Sequence, residues 1–168
     1  MNIYLVGFMG TGKTSVGRQL AKEKRWSFVD LDEMVELKEQ RRIVDIFAQD
    51  GESYFRKIEK KFLKQVSTQK KFVVACGGGV VLDPDNIRLM KKTGILICLC
   101  ATCEAILKRV SASSLRPILN VAKPRERIEL LLKMRAPYYL QADKTIDTSV
   151  LTVKQVVAKI SKILVAKK

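Results

Sequence analysis

Short apolar runs alternate with helical patterns along most of the chain. The runs lie at residues 3–7, 27–30, 72–76, 95–100 and 144–147; each predicts a strand, and the first predicts a buried one. Strands of four to six residues that alternate with helices are typical of βαβ units, which build a parallel sheet covered by helices on both faces. We therefore predict an α/β fold with three layers and a five-stranded parallel sheet.

Between these runs, apolar residues recur at the spacing of a helix face. The predicted helices cover residues 13–24, 33–66, 102–110 and 153–164, and two more begin at Pro84 and Pro124. We expect segment 33–66 to be helical throughout except for a break near Gly51. Its second half carries an apolar stripe of Phe55, Ile58, Phe62 and Val66. Pro137 should kink or end the helix that begins at Pro124.

Length and composition indicate a single folded domain spanning residues 1–168. The chain has 168 residues, of which 47% are hydrophobic, so it can bury a full core. Its longest apolar runs fall far short of the roughly 20 residues that a membrane helix requires. The opening MNIYLVG is also too short an apolar stretch for a signal peptide. These features predict a cytoplasmic protein without a membrane partner, and we expect a monomer.

The chain is strongly basic, with a net charge of +15 at pH 7. Basic residues are distributed along the predicted helices and are not interleaved with aromatic residues as in nucleic-acid-binding modules. We expect a solvated basic surface that attracts small anions and binds no nucleic acid. The competing hypothesis is a nucleotide-dependent module that binds nucleic acid or a partner protein, and it predicts salt-sensitive binding.

The four cysteines do not indicate a metal site or a disulfide framework. Cys98, Cys100 and Cys103 lie close together in the sequence, but the chain has no histidine and no second CxxC pair to complete a common zinc site. We interpret them as small apolar residues of a buried strand and its flank.

A glycine-rich turn follows the first strand and carries the clearest chemistry. GFMGTGKT has the spacing Gly7-x-x-x-x-Gly12-Lys13-Thr14, which is the phosphate-binding loop pattern. Glycines let the backbone N–H groups surround a phosphate, and the following helix adds its positive end. The pattern predicts a site for a nucleoside triphosphate with Mg²⁺, formed by Gly10, Thr11, Gly12, Lys13, Thr14 and Ser15. Thr14 is a candidate Mg²⁺ ligand.

Two carboxylates follow the second strand, at Asp30 and Asp32. The chain has neither a DxxG switch nor an [NT]KxD motif, which excludes an ordinary GTPase. Asp30 is a candidate to hold Mg²⁺, and Asp32 to orient a substrate hydroxyl or accept its proton. The alternative is that one of them only caps the helix beginning near Glu33.

Taken together, six motifs resemble those of the shikimate kinase family, in the family's order and spacing. They are the loop at residues 7–14, DLD at 30–32, FRKIE at 55–59, GGG at 77–79, RPIL at 116–119 and RAPYY at 135–139. The resemblance implies transfer of the γ-phosphoryl group of ATP to the 3-hydroxyl of shikimate, on the route to chorismate and the aromatic amino acids. It also implies the fold of the nucleoside monophosphate kinases, with a substrate-binding helical insertion at 32–62 and a mobile lid at 111–123.

The same resemblance assigns roles that spacing alone does not. It implies that Arg56 and Arg135 grip the shikimate carboxylate, and that Gly77, Gly78 and Gly79 form the loop that contacts the substrate. The planar guanidinium suits a carboxylate. Arg116 would reach the ATP phosphates from the lid, and Arg109 would flank the adenine. Lys13, Asp32 and Arg116 are the predicted catalytic residues.

One further alternative is another small-metabolite or nucleotide kinase of this fold, similar to gluconate or adenylate kinase. The glycine triplet combined with DLD and two arginines favours shikimate. Two departures from the family pattern are visible. Cys76 stands where many relatives carry Ser or Thr, and TSVLT at 148–152 does not match the family's adenine loop.

Overall fold

A single parallel sheet organises the chain. The computed structural model describes residues 1–111 and 122–166. Within them the strands are β1 (Asn2–Val6), β2 (Ser27–Asp30), β3 (Phe72–Ala75), β4 (Gly94–Cys100) and β5 (Lys144–Asp147). They lie in the order β2-β3-β1-β4-β5 and every pair is parallel. The predicted fold class is confirmed, and each predicted strand is found to within a residue at either end.

Seven α-helices connect and cover these strands in the described part of the chain. They are α1 (Lys13–Lys24), α2 (Leu31–Glu39), α3 (Ile43–Ser67), α4 (Pro84–Thr93), α5 (Cys103–Ser111), α6 (Pro124–Tyr139) and α7 (Val153–Val165). A short 3-10 helix at Val80–Leu82 follows β3. Among the helices described, none is long and apolar enough to cross a membrane.

Each face of the sheet has its own hydrophobic core. Leu5 and Ile97 point to one face and pack with residues of α1 and α7, such as Leu20 and Ile160. Tyr4 and Leu96 point to the other face, against α3 and α4. Because successive side chains of a strand alternate between faces, a strand buried on both sides must be apolar throughout. This alternation explains the continuous apolar runs and the three layers.

The long helix predicted over 33–66 is in fact two helices. The first ends at Glu39, and Gln40 adopts a left-handed backbone with φ 54°. The Glu36 carboxylate then accepts a hydrogen bond from the Ile43 N–H at 2.9 Å, which satisfies one free donor at the start of α3. Gly51 (φ 81°, ψ 169°) has a non-helical backbone and kinks α3 into two helical parts, so the break expected there is confirmed. Periodicity missed the first break because the residues around it are polar enough to fit an exposed helix face.

Pro137 leaves its helix intact, since α6 continues to Tyr139. A proline lacks the hydrogen bond of its own nitrogen and crowds the carbonyl four residues back, and here both effects fall near the end of the helix, where few further turns depend on them. The predicted insertion 32–62 corresponds to α2 and most of α3. Residues 112–121 of the predicted lid lie outside the described residues.

Candidate active site

The candidate site is a cleft of about 990 Å³ at the carboxyl ends of the strands. Parallel α/β sheets bind ligands at this edge because loops and helix N-termini converge there. Every predicted site residue that the structure describes lines this cleft: Gly10, Thr11, Gly12, Lys13, Thr14, Ser15, Asp30, Asp32, Arg56, Gly77, Gly78, Gly79, Arg109 and Arg135. The individual roles stay predictions. Arg116 lies outside the described residues.

The glycine-rich turn between β1 and α1 has the backbone that a phosphate cradle requires. Gly7 has φ 137°, and a Cβ there would lie 2.0 Å from the Leu99 carbonyl oxygen, so no other residue fits. Gly12 precedes α1 with φ 95° and offers no side chain to cap the helix. The first N–H groups of α1 are therefore directed at the cleft, where an anion is favoured.

Lys13 closes the turn from inside. Its ammonium donates to the carbonyl oxygens of Gly7 and Phe8, at 2.9 Å each. Thr11 adds a bond from its hydroxyl to the Phe8 carbonyl at 2.8 Å. The positive charge of Lys13 is thus held over the turn by the turn's own backbone.

Thr14 and Asp30 come together across the cleft floor. The Thr14 hydroxyl donates to Asp30 Oδ2 at 2.7 Å, and Asp30 is only 9% exposed. Asp30 Oδ1 accepts from the Asp32 N–H at 3.1 Å and caps α2. The capping alternative is therefore right for Asp30, although the same carboxylate also faces Thr14. Asp32 is not a cap but lies in the first turn of α2.

Asp32 sits where its charge is disfavoured. Burial, followed by the nearby charge of Asp30, raises the pKa of Asp32 to about 6, although Lys13 and Arg56 act in the opposite direction. A carboxylate with an elevated pKa binds a proton more readily than an exposed one. Asp32 is ionised at neutral pH and suited to accept a proton.

Arg56 is held on α3 by two glutamates. It donates from Nη1 to Glu59 Oε2 at 2.7 Å, and from Nε and Nη2 to Glu52 Oε1 at 3.1 and 3.0 Å. Glu59 is fully buried, and its other oxygen, Oε1, has no hydrogen-bond partner among the residues that the structure describes. Burial raises the pKa of Glu59, while Arg56 lowers it in part. Glu59 and Glu52 therefore orient the Arg56 guanidinium together, both from the same helix.

The glycine triplet has a steric explanation that the sequence did not reveal. A Cβ on Gly77 would lie 2.5 Å from Glu59 Oε1 and 2.8 Å from Asp32 Oδ1. A Cβ on Gly79 would lie 2.1 Å from Arg56 Nη2. The missing side chains therefore make room for the protein's own charged groups, in addition to any space left for a substrate.

Arg135 approaches the triplet from the opposite side, on α6. Its Nη1 would lie 3.2 Å from a Cβ on Gly78, and its guanidinium lies 5.6 Å from the centre of the Phe8 ring. The hydroxyl of Tyr139 donates to the Gly78 carbonyl at 2.7 Å. Arg56 and Arg135, far apart in the sequence, thus flank one short loop. Tyr139 was not singled out beforehand, although it belongs to the RAPYY motif.

The Arg109 guanidinium donates hydrogen bonds to groups of the protein itself. It donates to the Gly10 carbonyl and the Thr148 hydroxyl, at 3.1 Å each. Thr148 is 2% exposed, and its hydroxyl also donates to the Thr11 carbonyl at 3.1 Å. These bonds join α5 and the segment after β5 to the phosphate loop. Thr148 had no sequence signal because its segment matches no sharp motif.

The cysteines behave as expected of small apolar residues. All four are free, and Cys76 and Cys98 are buried. Burial raises the pKa of Cys98 to about 12, so its thiol stays protonated. Within residues 1–111 and 122–166, no group of three or more His, Cys, Asp or Glu side chains is placed to hold a metal.

Comparison with known proteins decides the family. The family model for shikimate kinase matches residues 9–165 of the chain. The chain belongs to the shikimate kinase family. It is 47% identical to a shikimate kinase of Thermodesulfovibrio yellowstonii over 161 residues, covering 96% of this chain and 93% of the relative. A shikimate kinase of Thermoanaerobacter pseudethanolicus is 44% identical over 161 residues, covering 96% and 94%.

A solved structure shows the same architecture. The shikimate kinase of Acinetobacter baumannii, in complex with shikimate, superposes with a TM-score of 0.93 at 37% identity. The match covers 99% of this chain and 94% of that one. The fold and the family expected from the six motifs are therefore confirmed.

Proposed function

We propose that this protein transfers the γ-phosphoryl group of ATP to the 3-hydroxyl of shikimate and releases ADP and shikimate 3-phosphate. One observation carries the proposal. Arg56, Arg135 and Asp32 converge on the glycine triplet in the same cleft as the phosphate loop. A carboxylated alcohol and a nucleoside triphosphate can therefore bind side by side, as phosphoryl transfer requires.

The phosphate loop and the start of α1 would bind the ATP phosphates. Backbone N–H groups and the Lys13 ammonium supply positive charge there, and Lys13 offsets charge on the transferring group. Arg109 and Thr148 border the cleft beside the loop, which supports the expected place of the adenine. The resemblance assigns Arg116 to the phosphates as well, and that assignment rests on sequence alone.

The oxygens of Thr14 and Asp30 fit Mg²⁺. They lie 2.7 Å apart as a hydroxyl and a carboxylate, which are the hard ligands that Mg²⁺ prefers. Two protein ligands suffice because Mg²⁺ in kinase sites is completed by phosphate oxygens and water. When bound, Mg²⁺ supplies neutralising charge to the phosphates.

Arg56 and Arg135 would hold the substrate carboxylate between α3 and α6. A guanidinium matches a carboxylate with two parallel hydrogen bonds. The ring then lies over the glycine triplet with Asp32 beside it. The shikimate bound in the Acinetobacter baumannii relative supports this choice of acceptor.

The chemical step is a single displacement. The 3-hydroxyl oxygen forms a bond to the γ-phosphorus, and the bond from that phosphorus to the oxygen bridging to the β-phosphorus breaks. Asp32 accepts the hydroxyl proton, and ADP leaves with the bridging oxygen. The elevated pKa of Asp32 suits this role because a more basic carboxylate accepts the proton of the hydroxyl more readily.

We further propose that the enzyme is a cytoplasmic monomer. Four free cysteines suit a reducing compartment, and a charge of +15 disfavours self-association.

The decisive experiment measures ADP formation by the purified chain with ATP and Mg²⁺. Shikimate should stimulate it strongly, whereas gluconate and AMP, tested in parallel, should not. Omitting Mg²⁺ should abolish the reaction. Stimulation by gluconate or AMP in place of shikimate would reject the proposed acceptor, and ADP formation independent of any acceptor would reject the kinase reaction.

A further inference from the structure

Tyr139 connects the last turn of α6 to the glycine triplet. Its hydroxyl donates to the Gly78 carbonyl oxygen at 2.7 Å. Its ring packs between the core beneath α3 and α4 and the smaller cluster formed by Phe8, Ile106, Val110 and Ile128. Burial raises the pKa of Tyr139 to about 12, so the hydroxyl keeps its proton and remains a donor.

Arg135 and Tyr139 stand one helical turn apart and meet the same loop residue. A Cβ on Gly78 would lie 3.2 Å from Arg135 Nη1 and 3.7 Å from the Tyr139 hydroxyl. Residues four apart on a helix are neighbours on its surface. A contact that fixes Tyr139 against Gly78 therefore also fixes where Arg135 enters the cleft.

The end of α6 is mostly exposed apart from Tyr139. Ile128, near its start, is the buried residue of this helix in the described chain. Pro137 lies between Arg135 and Tyr139 and has no backbone N–H, so one helix hydrogen bond is missing next to Arg135. Met134 and Leu140 are exposed, so the Tyr139 ring provides the apolar packing of the last turn in the described chain. The bond from Tyr139 to the Gly78 carbonyl adds a polar link between this turn and the body of the protein.

We propose that Tyr139 is a positioning residue, which holds Arg135 against the glycine triplet so that the substrate carboxylate meets a preset guanidinium. This inference rests on the proposed function, in which Arg135 binds that carboxylate. Tyr139 itself touches neither substrate in this scheme. Its effect should therefore appear in shikimate binding and only through Arg135.

The test is Tyr139→Phe, which removes one hydroxyl and keeps the ring in its packing. The KM for shikimate should rise about three- to tenfold, the range expected for losing one hydrogen bond. The KM for ATP and kcat should stay close to wild type. Tyr138→Phe is the matched control because Tyr138 is the exposed neighbour on the same helix, and it should change none of these constants.

A second substrate separates positioning from general loosening of the fold. Shikimate methyl ester has no negative carboxylate for Arg135 to grip. If Tyr139 acts through Arg135, Tyr139→Phe should alter the KM for the ester far less than that for shikimate. An equal rise for both substrates, an unchanged KM for shikimate, or a parallel rise in the KM for ATP would each overturn the inference. Failure of the proposed function would look different, since wild type would then show no shikimate-dependent ADP formation.

Discussion

At the scale of single residues, the site works by placing charges where water cannot fully solvate them. Asp32 and Glu59 are both carboxylates whose burial raises their pKa. The charge of Glu59 is compensated by Arg56, whose Nη1 lies 2.7 Å from Glu59 Oε2. Asp32 has the like charge of Asp30 nearby, and its own charge is compensated less directly, by Lys13 and Arg56. A buried carboxylate with a raised pKa destabilises the folded protein when it is ionised, and such destabilisation is typical of catalytic groups.

Asp32→Asn should therefore separate function from stability. The variant should bind ATP as wild type does and lose most phosphoryl transfer, because the amide cannot accept the hydroxyl proton. Turnover with shikimate and ATP binding by calorimetry measure the two effects. Unchanged turnover would remove Asp32 from the proton-accepting role.

The same variant should fold more stably at neutral pH. The pKa of Asp32 is about 6 in the folded chain and about 3.9 in an unfolded one, so the folded form holds its proton more tightly. Stability from this group is therefore highest below pH 4 and is lost as the pH rises through 6. Asn avoids this loss, and should raise the free energy of unfolding by up to roughly 3 kcal/mol at pH 7. Denaturation experiments at pH 7 and pH 4 should show a smaller gain in the free energy of unfolding at pH 4. An equal gain at the two pH values would contradict the raised pKa of Asp32.

At the scale of elements, the site depends on where strands stop and helices start. The phosphate loop, Asp30 and the glycine triplet follow β1, β2 and β3, which are neighbours in the sheet. Arg56 is added by α3 and Arg135 by α6. The loop after β3 must pass between these two helices, and glycine is the residue that lets it do so.

Gly79→Ala tests this close approach. The added Cβ would lie 2.1 Å from Arg56 Nη2, so the guanidinium must move away from its position beside the loop. We expect the KM for shikimate to rise more than tenfold, with the KM for ATP little changed.

Gly51→Ala is the control in α3, because a Cβ there meets nothing within 4 Å and only strains a backbone with φ 81°. It should cost roughly 1 kcal/mol of stability and leave the shikimate KM close to wild type. Equal KM values for wild type and Gly79→Ala would reject the steric argument.

At the scale of the whole molecule, a bound substrate would join helices that come from distant parts of the chain. Arg56 belongs to α3, which covers one face of the sheet, and Arg135 to α6, which packs mainly against α5 and the short 3-10 helix. One carboxylate bound by both arginines would cross-link these helices through the cleft.

Hydrogen exchange should report this cross-link. Shikimate should slow amide exchange in the first half of α3 and in α6, since local opening then requires breaking the shared contact. The amides of β1 and β4, already in the central core, should be unaffected. Shikimic acid methyl ester at the same concentration is the control and should protect less. Protection spread evenly over the sheet, or confined to α3, would show that the two arginines do not share the ligand.

The sequence by itself determined the local features of this protein. Apolar runs and helix spacing located the strands to within a residue, because the central strands of a parallel sheet are buried on both faces and are therefore largely apolar. The sequence at residues 7–14 predicted a phosphate-binding loop, because phosphate binding needs glycines, a lysine and a hydroxyl at fixed spacing. Six motifs in register identified the family, which the comparisons confirm.

Only the tertiary structure decided how the distant residues meet. It showed that Asp30 caps α2 while facing Thr14, that Gly77 and Gly79 make room for Asp32, Glu59 and Arg56, and that α2 and α3 are separate helices. It also drew in Tyr139, to which the RAPYY motif assigned no role, and Thr148, which lies in no recognised motif. Such contacts depend on which surfaces pack across the sheet, and that packing follows from the whole chain's core rather than from any local pattern of residues.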